Sequence, residues 1–258
     1  DEEILRGEPS READGADIDL AAAMLVERKE AGLGGAVRAL SDPGAAAVYE
    51  AMVLGDPGLP PEAEGVAMRR AAEAGLLKIA ENCCSPANPL VRDAALAEIS
   101  GLLAFGMPRS PEGKPEGGRE LDMSALLKAF QAYWQDRGSR LAAPFGMKRA
   151  LGHLALTAFL HKAIGGGGAL LCEYGLGRGR LDMLVRFRDS VYPVGAAVKE
   201  SEQRLRDSLV HMSRYVERCR AKTGWLVAFD PDPAEDWERK ISWLSDKHEG
   251  RTVHVVGA

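Results

Sequence analysis

Between Ala169 and Asp230 the apolar residues change period twice, and no other feature of the sequence restricts the fold as much. The runs ALLCEYGL, GRLDMLVRF and VYPVGAAVK are short, closely spaced and rich in Val, Leu and aromatic residues, which predicts three strands in an antiparallel meander. The segment SEQRLRDSLVHMSRYVERC then sets Leu205, Leu209, Met212, Val216 and Cys219 at steps of four and three. That is the spacing of an amphipathic helix laid on a sheet. GWLVAFD follows as a strand, AEDWERKISWLSD as a helix and RTVHVVG as a last strand. Two helices precede the meander. LDMSALLKAFQAYWQD places Leu126, Leu127, Phe130, Tyr133 and Trp134 at helical spacing, and MKRALGHLALTAFLHKAI sets Met147, Leu151, Leu154 and Ala158 on one stripe before the glycines from Gly165 to Gly168 stop it. Helix, three strands, helix, strand is the order of an α/β unit.

Upstream the pattern is mainly helical. IDLAAAMLVERK has Asp17 placed to cap it, and LGGAVRALSDPGAAAVYEAMVLG reads as two short helices broken at Asp42-Pro43. PPEAEGVAMRRAAEAG is expected as a helix closed by Gly75, LLKIA as a short strand, ENCCSPAN as a turn and NPLVRDAALAEIS as another helix, the order of a winged-helix-like unit. In GMPRSPEGKPEGGRE, Pro, Gly and charged residues displace apolar ones, as in a mobile linker. The chain therefore divides into a mainly α, winged-helix-like domain over 1–104, a flexible linker over 105–120 and an α/β domain over 121–258.

With 46% apolar and 28% charged residues among 258, the chain can bury a core. A net charge of -5 argues against indiscriminate coating of nucleic acid, yet leaves room for a local basic groove. Cys83, Cys84, Cys172 and Cys219 form no CxxC pair and adjoin no histidine cluster, so neither a zinc site nor a disulfide framework is expected, and a reduced cytoplasmic setting is. No apolar run approaches the roughly 20 residues that span a bilayer, so no membrane partner is expected. The sequence holds no GxxxxGK[ST] phosphate loop, and the glycines from Gly165 to Gly168 lack its Lys-Ser/Thr.

The helix, meander, helix, strand order is that of the PD-(D/E)XK nuclease superfamily. EYGLGRGRLDMLV, the helix bearing Tyr215, GWLVAFD and TVHVVGA resemble the nuclease-like domain at the C-terminus of a group of prokaryotic P-loop ATPases. VERKEAGLGGAVRALSDPGAAAVYEAMVLG, AEAGLLKI and ANPLVRDAALAEIS resemble the helical and winged-helix region that follows the ATPase domain of those proteins. The resemblance implies a restriction-endonuclease-like α-β-β-β-α-β core. Active members of the superfamily carry an Asp at the start of the second strand, Glu-x-Lys on the third and often an acid on the first helix. Their carboxylates hold Mg²⁺, which activates the attacking water, and the Lys stabilises the developing charge.

Asp182 matches the Asp, and strand alternation sets it opposite to Leu181, Met183, Val185 and Phe187. The Glu-x-Lys aligns with Gly195-Ala196-Ala197, which offers neither group. A slide by two residues gives Ala197-Val198-Lys199, with the Lys but not the Glu, and a slide by one would turn the motif face into the core. Arg149 stands where the helix acid is expected. The motif is therefore degenerate.

Glu173 on the first strand is a residual metal ligand for the Asp182 position, though an ion pair with Arg178 or Arg180 is the plainer reading. Lys199 is a displaced lysine or a solvated strand end. Arg178 and Arg180 are the nucleic-acid-binding candidates, with a structural turn as the competing reading. His211 and Tyr215 lie one helical turn apart, as packing residues or facing the old cleft, and His153 and His161 lack the spacing of a metal site. The expected function is a catalytically inactive nuclease-like protein acting as an interaction or scaffold module for protein or nucleic acid. It needs no cofactor, and a P-loop ATPase domain is one partner the resemblance implies. Two alternatives stand beside it: a metal-dependent nuclease with a rearranged site built from Asp182, Glu173 and Lys199, the only reading that needs Mg²⁺, and the regulatory C-terminal region of a P-loop ATPase.

Overall fold

The computed structural model describes residues 50, 66–73, 75–80, 83–88, 91, 103, 107, 120–141, 150–165, 168–173, 180–230, 236–248 and 250–258. Helix α1 (Val66–Glu73) leads into a hairpin of β1 (Leu77–Ala80) and β2 (Cys83–Pro86). Then come α2 (Met123–Leu141), α3 (Leu151–Ile164), β3 (Gly168–Glu173), β4 (Arg180–Phe187), β5 (Ser190–Val198), α4 (Glu202–Arg218), β6 (Thr223–Phe229), α5 (Trp237–Lys240), β7 (Ser242–His248) and β8 (Arg251–Gly257). The last six strands form one sheet in the order β3-β4-β5-β6-β8-β7. The meander is antiparallel, β6 and β8 run parallel to β5, and β7 returns antiparallel as an edge. The chain is a mixed α/β protein.

Each element has a local cause. The Asp122 carboxylate accepts from the Ala125 N–H at 2.9 Å and opens α2, and the Ser201 hydroxyl accepts from the Arg204 N–H at 3.2 Å and opens α4. Gly165 ends α3 with φ 54, a conformation that costs a side-chain-bearing residue more, and its N–H bonds the His161 carbonyl. Pro193 stands just before Val194, where the ladder to β6 begins, so its missing N–H interrupts no bond there.

The sheet is covered on both faces. On one, α2 and α3 bury Phe130, Phe159 and Leu126 against Met183, Val185, Val194, Val227 and Phe229. On the other, α4 lays Met212, Tyr215 and Val216 over Ala197, Leu226 and Val253. Burying one such side chain contributes about 1.5–3 kcal/mol. Leu76, Leu77, Leu103 and Met107 join the α2 and α3 core. Met107, inside the segment expected as a mobile linker, is buried, and its carbonyl accepts from Lys162 Nζ at 2.7 Å.

Three expectations are corrected. ENCCSPAN is not simply a turn, because Cys83–Pro86 pairs with β1 as a second strand. The helix expected over AEDWERKISWLSD stops at Lys240, and Ser242–His248 is strand β7. There Trp237, Ile241 and Leu244 fall at helical spacing in the sequence, but pairing with β8 and the 2.6 Å bond from Trp243 Nε1 to Gln131 Oε1 decide the outcome. Helix α3 does not bury a single stripe: every residue from Leu151 to Leu160 is buried, because the helix lies between the sheet, α2 and the Leu76 and Leu103 cluster. The first two predicted helices lie outside the described residues, as do Met147 and all of the last upstream helix but Asn88 and Val91.

Candidate functional site

The meander sets the register of the motif positions. Asp182 pairs with Gly195 on one side and with Glu173 on the other, so the three Cα positions form one row across β3, β4 and β5. Arg180 pairs with Ala197 one step along the same face. For Glu173, Arg180 and Asp182 the structure describes the backbone, and Arg178 and Arg149 lie outside the described residues. Met183, Val185 and Phe187 are buried on the α2 and α3 side, which gives Asp182 the α4 face by alternation.

That face is closed over β5 and β6. Ala197 is 2% exposed and packs with Met212, Tyr215, Val216 and Leu226, and Gly195, which pairs with Leu226, is buried too. The floor under α4 is made of small residues for a steric reason. A Cβ on Gly224 would meet Val216 Cγ2 and come within 2.8 Å of Met212 Cε, so a larger residue would lift the helix off the sheet. A lysine at Ala197 would meet the same packed layer. Those two positions therefore fit no divalent cation: the third strand supplies no carboxylate beside Asp182, and α4 fills the space where a lysine would reach.

Lys199 does not join the row. It stands four residues beyond Gly195, about 13 Å along the strand, and its Nζ lies 3.6 Å from Asp230 Oδ2 at the end of β6. Its N–H also bonds the Phe229 carbonyl at 2.8 Å. Tyr215 is a packing residue, 3% exposed, with the Arg218 guanidinium 4.9 Å from its ring centroid. His211 is half-buried one turn before it. His153 is buried with its ring 5.6 Å from that of Phe229, whereas His161 is exposed in the last turn of the same helix. Among the described residues no three of His, Cys, Asp and Glu gather as metal ligands, and no helix is long and apolar enough to cross a membrane.

Comparison with protein families, with curated proteins and with solved structures finds no match to this chain. The site has to be judged on its own residues.

Sequence reasoning missed two polar features. Asp230 had no role until the parallel pairing of β5 and β6 brought it beside Lys199. Ser245 Oγ and His254 Nδ1 lie 2.8 Å apart across β7 and β8, hidden by the expectation of a helix over Ser245. Among the described residues no acid bonds that imidazole, so the pair lacks the orienting third group of a nucleophilic triad.

Proposed function

We propose that this chain is a catalytically inactive relative of the PD-(D/E)XK nucleases, acting as an interaction module for protein or nucleic acid. One observation carries the reading. The two third-strand positions opposite and beyond Asp182 are Gly195, which is buried, and Ala197, which is packed with Met212, Tyr215 and Val216. The element order α2, α3, meander, α4, β6 supports the family half of the reading, since it is the order that the resemblance implies. A P-loop ATPase domain is the protein partner suggested by the sequence resemblance.

A second reading, a metal-dependent nuclease with a rearranged site, is favoured by the direct pairing of Glu173 with Asp182. Like charges opposite each other destabilise a sheet unless something holds them, and a divalent cation is one such agent. Against it, Lys199 is engaged with Asp230 well away from the row. Thermal unfolding with and without Mn²⁺ separates the two. A cation bound only by the folded state raises the midpoint. The expected result is the same midpoint with and without metal, in the parent and in Asp182→Ala alike. A metal-induced rise in the parent that Asp182→Ala abolishes would favour the second reading.

A further inference from the structure

Among the described residues two that are not glycine have positive φ, and both are arginines: Arg188 (φ 53) and Arg220 (φ 54). Glycine or asparagine takes this conformation at lower cost, so an arginine kept in each of two such turns points to use of its side chain. The turns share one end of the sheet. Arg188 lies between β4 and β5 and Arg220 between α4 and β6, while β5 and β6 run parallel away from them. Arg186 pairs with Val191 at the same end, Lys222 accepts there from the Thr252 N–H at 3.1 Å, and α4 delivers Arg214 towards it in its last turns.

These five cations are exposed, and among the described residues none of them has an ion-pair partner. The far end of the sheet differs. There Lys199 is paired with Asp230 and Arg204 with Glu200. Among the described residues the acids near the basic end are Asp189, Glu217, whose carboxylate is bound by Arg251 at 3.1 Å, and Asp246.

We propose that this end of the sheet docks the phosphate backbone of nucleic acid without reading its sequence. Guanidinium groups match phosphate oxygens in a two-pronged fork, and arginine outnumbers lysine in the patch. From β4 to β6 it spans two strand spacings, about 10 Å, enough to meet two or three phosphates, which advance about 3.4 Å each along a duplex strand. Phe187 and Tyr215 beside it are buried, so among the described residues neither of these rings stands out to stack on a base. The patch lies at the opposite end of β4 from Asp182, away from the degenerate motif. The proposal names a partner class for the module described above, and rests on that reading only in that the chain acts by binding.

Fluorescence anisotropy of a short labelled DNA duplex in EDTA tests it with cleavage excluded. The expected result is binding that weakens steeply between about 50 and 200 mM salt. In the double variant Arg188→Asn, Arg220→Asn, Kd rises about tenfold and the log–log salt slope flattens by about 2, while the thermal midpoint stays equal or rises because asparagine tolerates positive φ. Arg137→Asn, on the α2 side and beside Asp136, leaves binding unchanged. No binding by the parent, equal binding by the double variant, or competition by polyglutamate as strong as by DNA would each overturn the proposal, the last in favour of an acidic protein.

Discussion

On the α2 and α3 side, the sheet meets large side chains that interlock. Phe229 has its ring centroid 5.5 Å from Trp134 and 6.1 Å from Phe130, and Phe159 stands 5.4 Å from Phe130. On the α4 side, the middle strands present Gly195, Ala197 and Gly224, and one helix lies low over them. The first face is a volume-filling core. The second is the face on which Asp182 falls, and its small residues let one helix pack close to the sheet. The two faces are therefore expected to respond oppositely to substitution: the first to lost volume, the second to added volume and charge.

The largest effect is expected from Phe229→Ala, which empties the aromatic cluster and costs about 3–5 kcal/mol by urea unfolding. Ala197→Lys comes next, at about 3 kcal/mol, because it forces an ammonium into the layer under Tyr215. Val191→Lys, on the same face of β5 but 39% exposed, should stay within about 0.5 kcal/mol. Equal stability of Ala197→Lys and the parent would mean that α4 does not close that position, and would break the contrast between the faces.

Much of the α/β unit was legible because period is a local signal. The spacing of Leu205, Leu209, Met212 and Val216 gave α4, and alternation about Met183 and Val185 gave β4 and the face of Asp182. What was not legible depended on tertiary pairing. Trp243 and Leu244 read as helical until β8 offered a ladder, and α3 read as one-sided because its second covering layer comes from Leu76 and Leu103, far away in sequence. At the candidate site, the absence of a Glu-x-Lys could be read from Gly195 and Ala197, but the packing over Ala197 needed the position of Tyr215. The ion pair of Lys199 needed the parallel alignment with β6, and the basic end needed two turns distant in sequence to converge.

Smaller effects sharpen the comparison. Gly224→Ala, under α4, and Gly152→Ala, whose Cβ would come within 2.5 Å of the Phe229 ring, are each expected to cost about 1–3 kcal/mol. The difference lies in what relieves them. Val216→Ala, which removes the Cγ2 that the added Cβ would meet first, should relieve Gly224→Ala and leave Gly152→Ala unrelieved, as read from paired unfolding midpoints.

The smallest effect is at Tyr133. Its hydroxyl is buried with no hydrogen-bond partner among the described residues. Burial pushes the phenol above its ordinary value of 10.0, with the Arg137 guanidinium partly opposing the rise. Tyr133→Phe removes an unsatisfied group and is expected to be neutral or to stabilise by up to about 1 kcal/mol at neutral pH. Since the folded-state value lies above the unfolded one, the phenol's contribution is complete below about pH 10 and is lost as pH rises through the folded value. Thermal midpoints of Tyr133→Phe should therefore decline less than the parent's on the alkaline side.

The proposal that the α4 face serves packing and not phosphate chemistry is tested most directly by a cleavage assay. Linear, supercoiled and single-stranded DNA and RNA are incubated with the whole chain and with Asp182→Ala, in Mg²⁺ or Mn²⁺. With Gly195 and Ala197 in place of the second carboxylate and the cationic stabiliser, neither protein is expected to cut any substrate above the metal-only control. Metal-dependent cleavage by the parent that disappears in Asp182→Ala would contradict the account and make Glu173, directly across from Asp182, the second ligand.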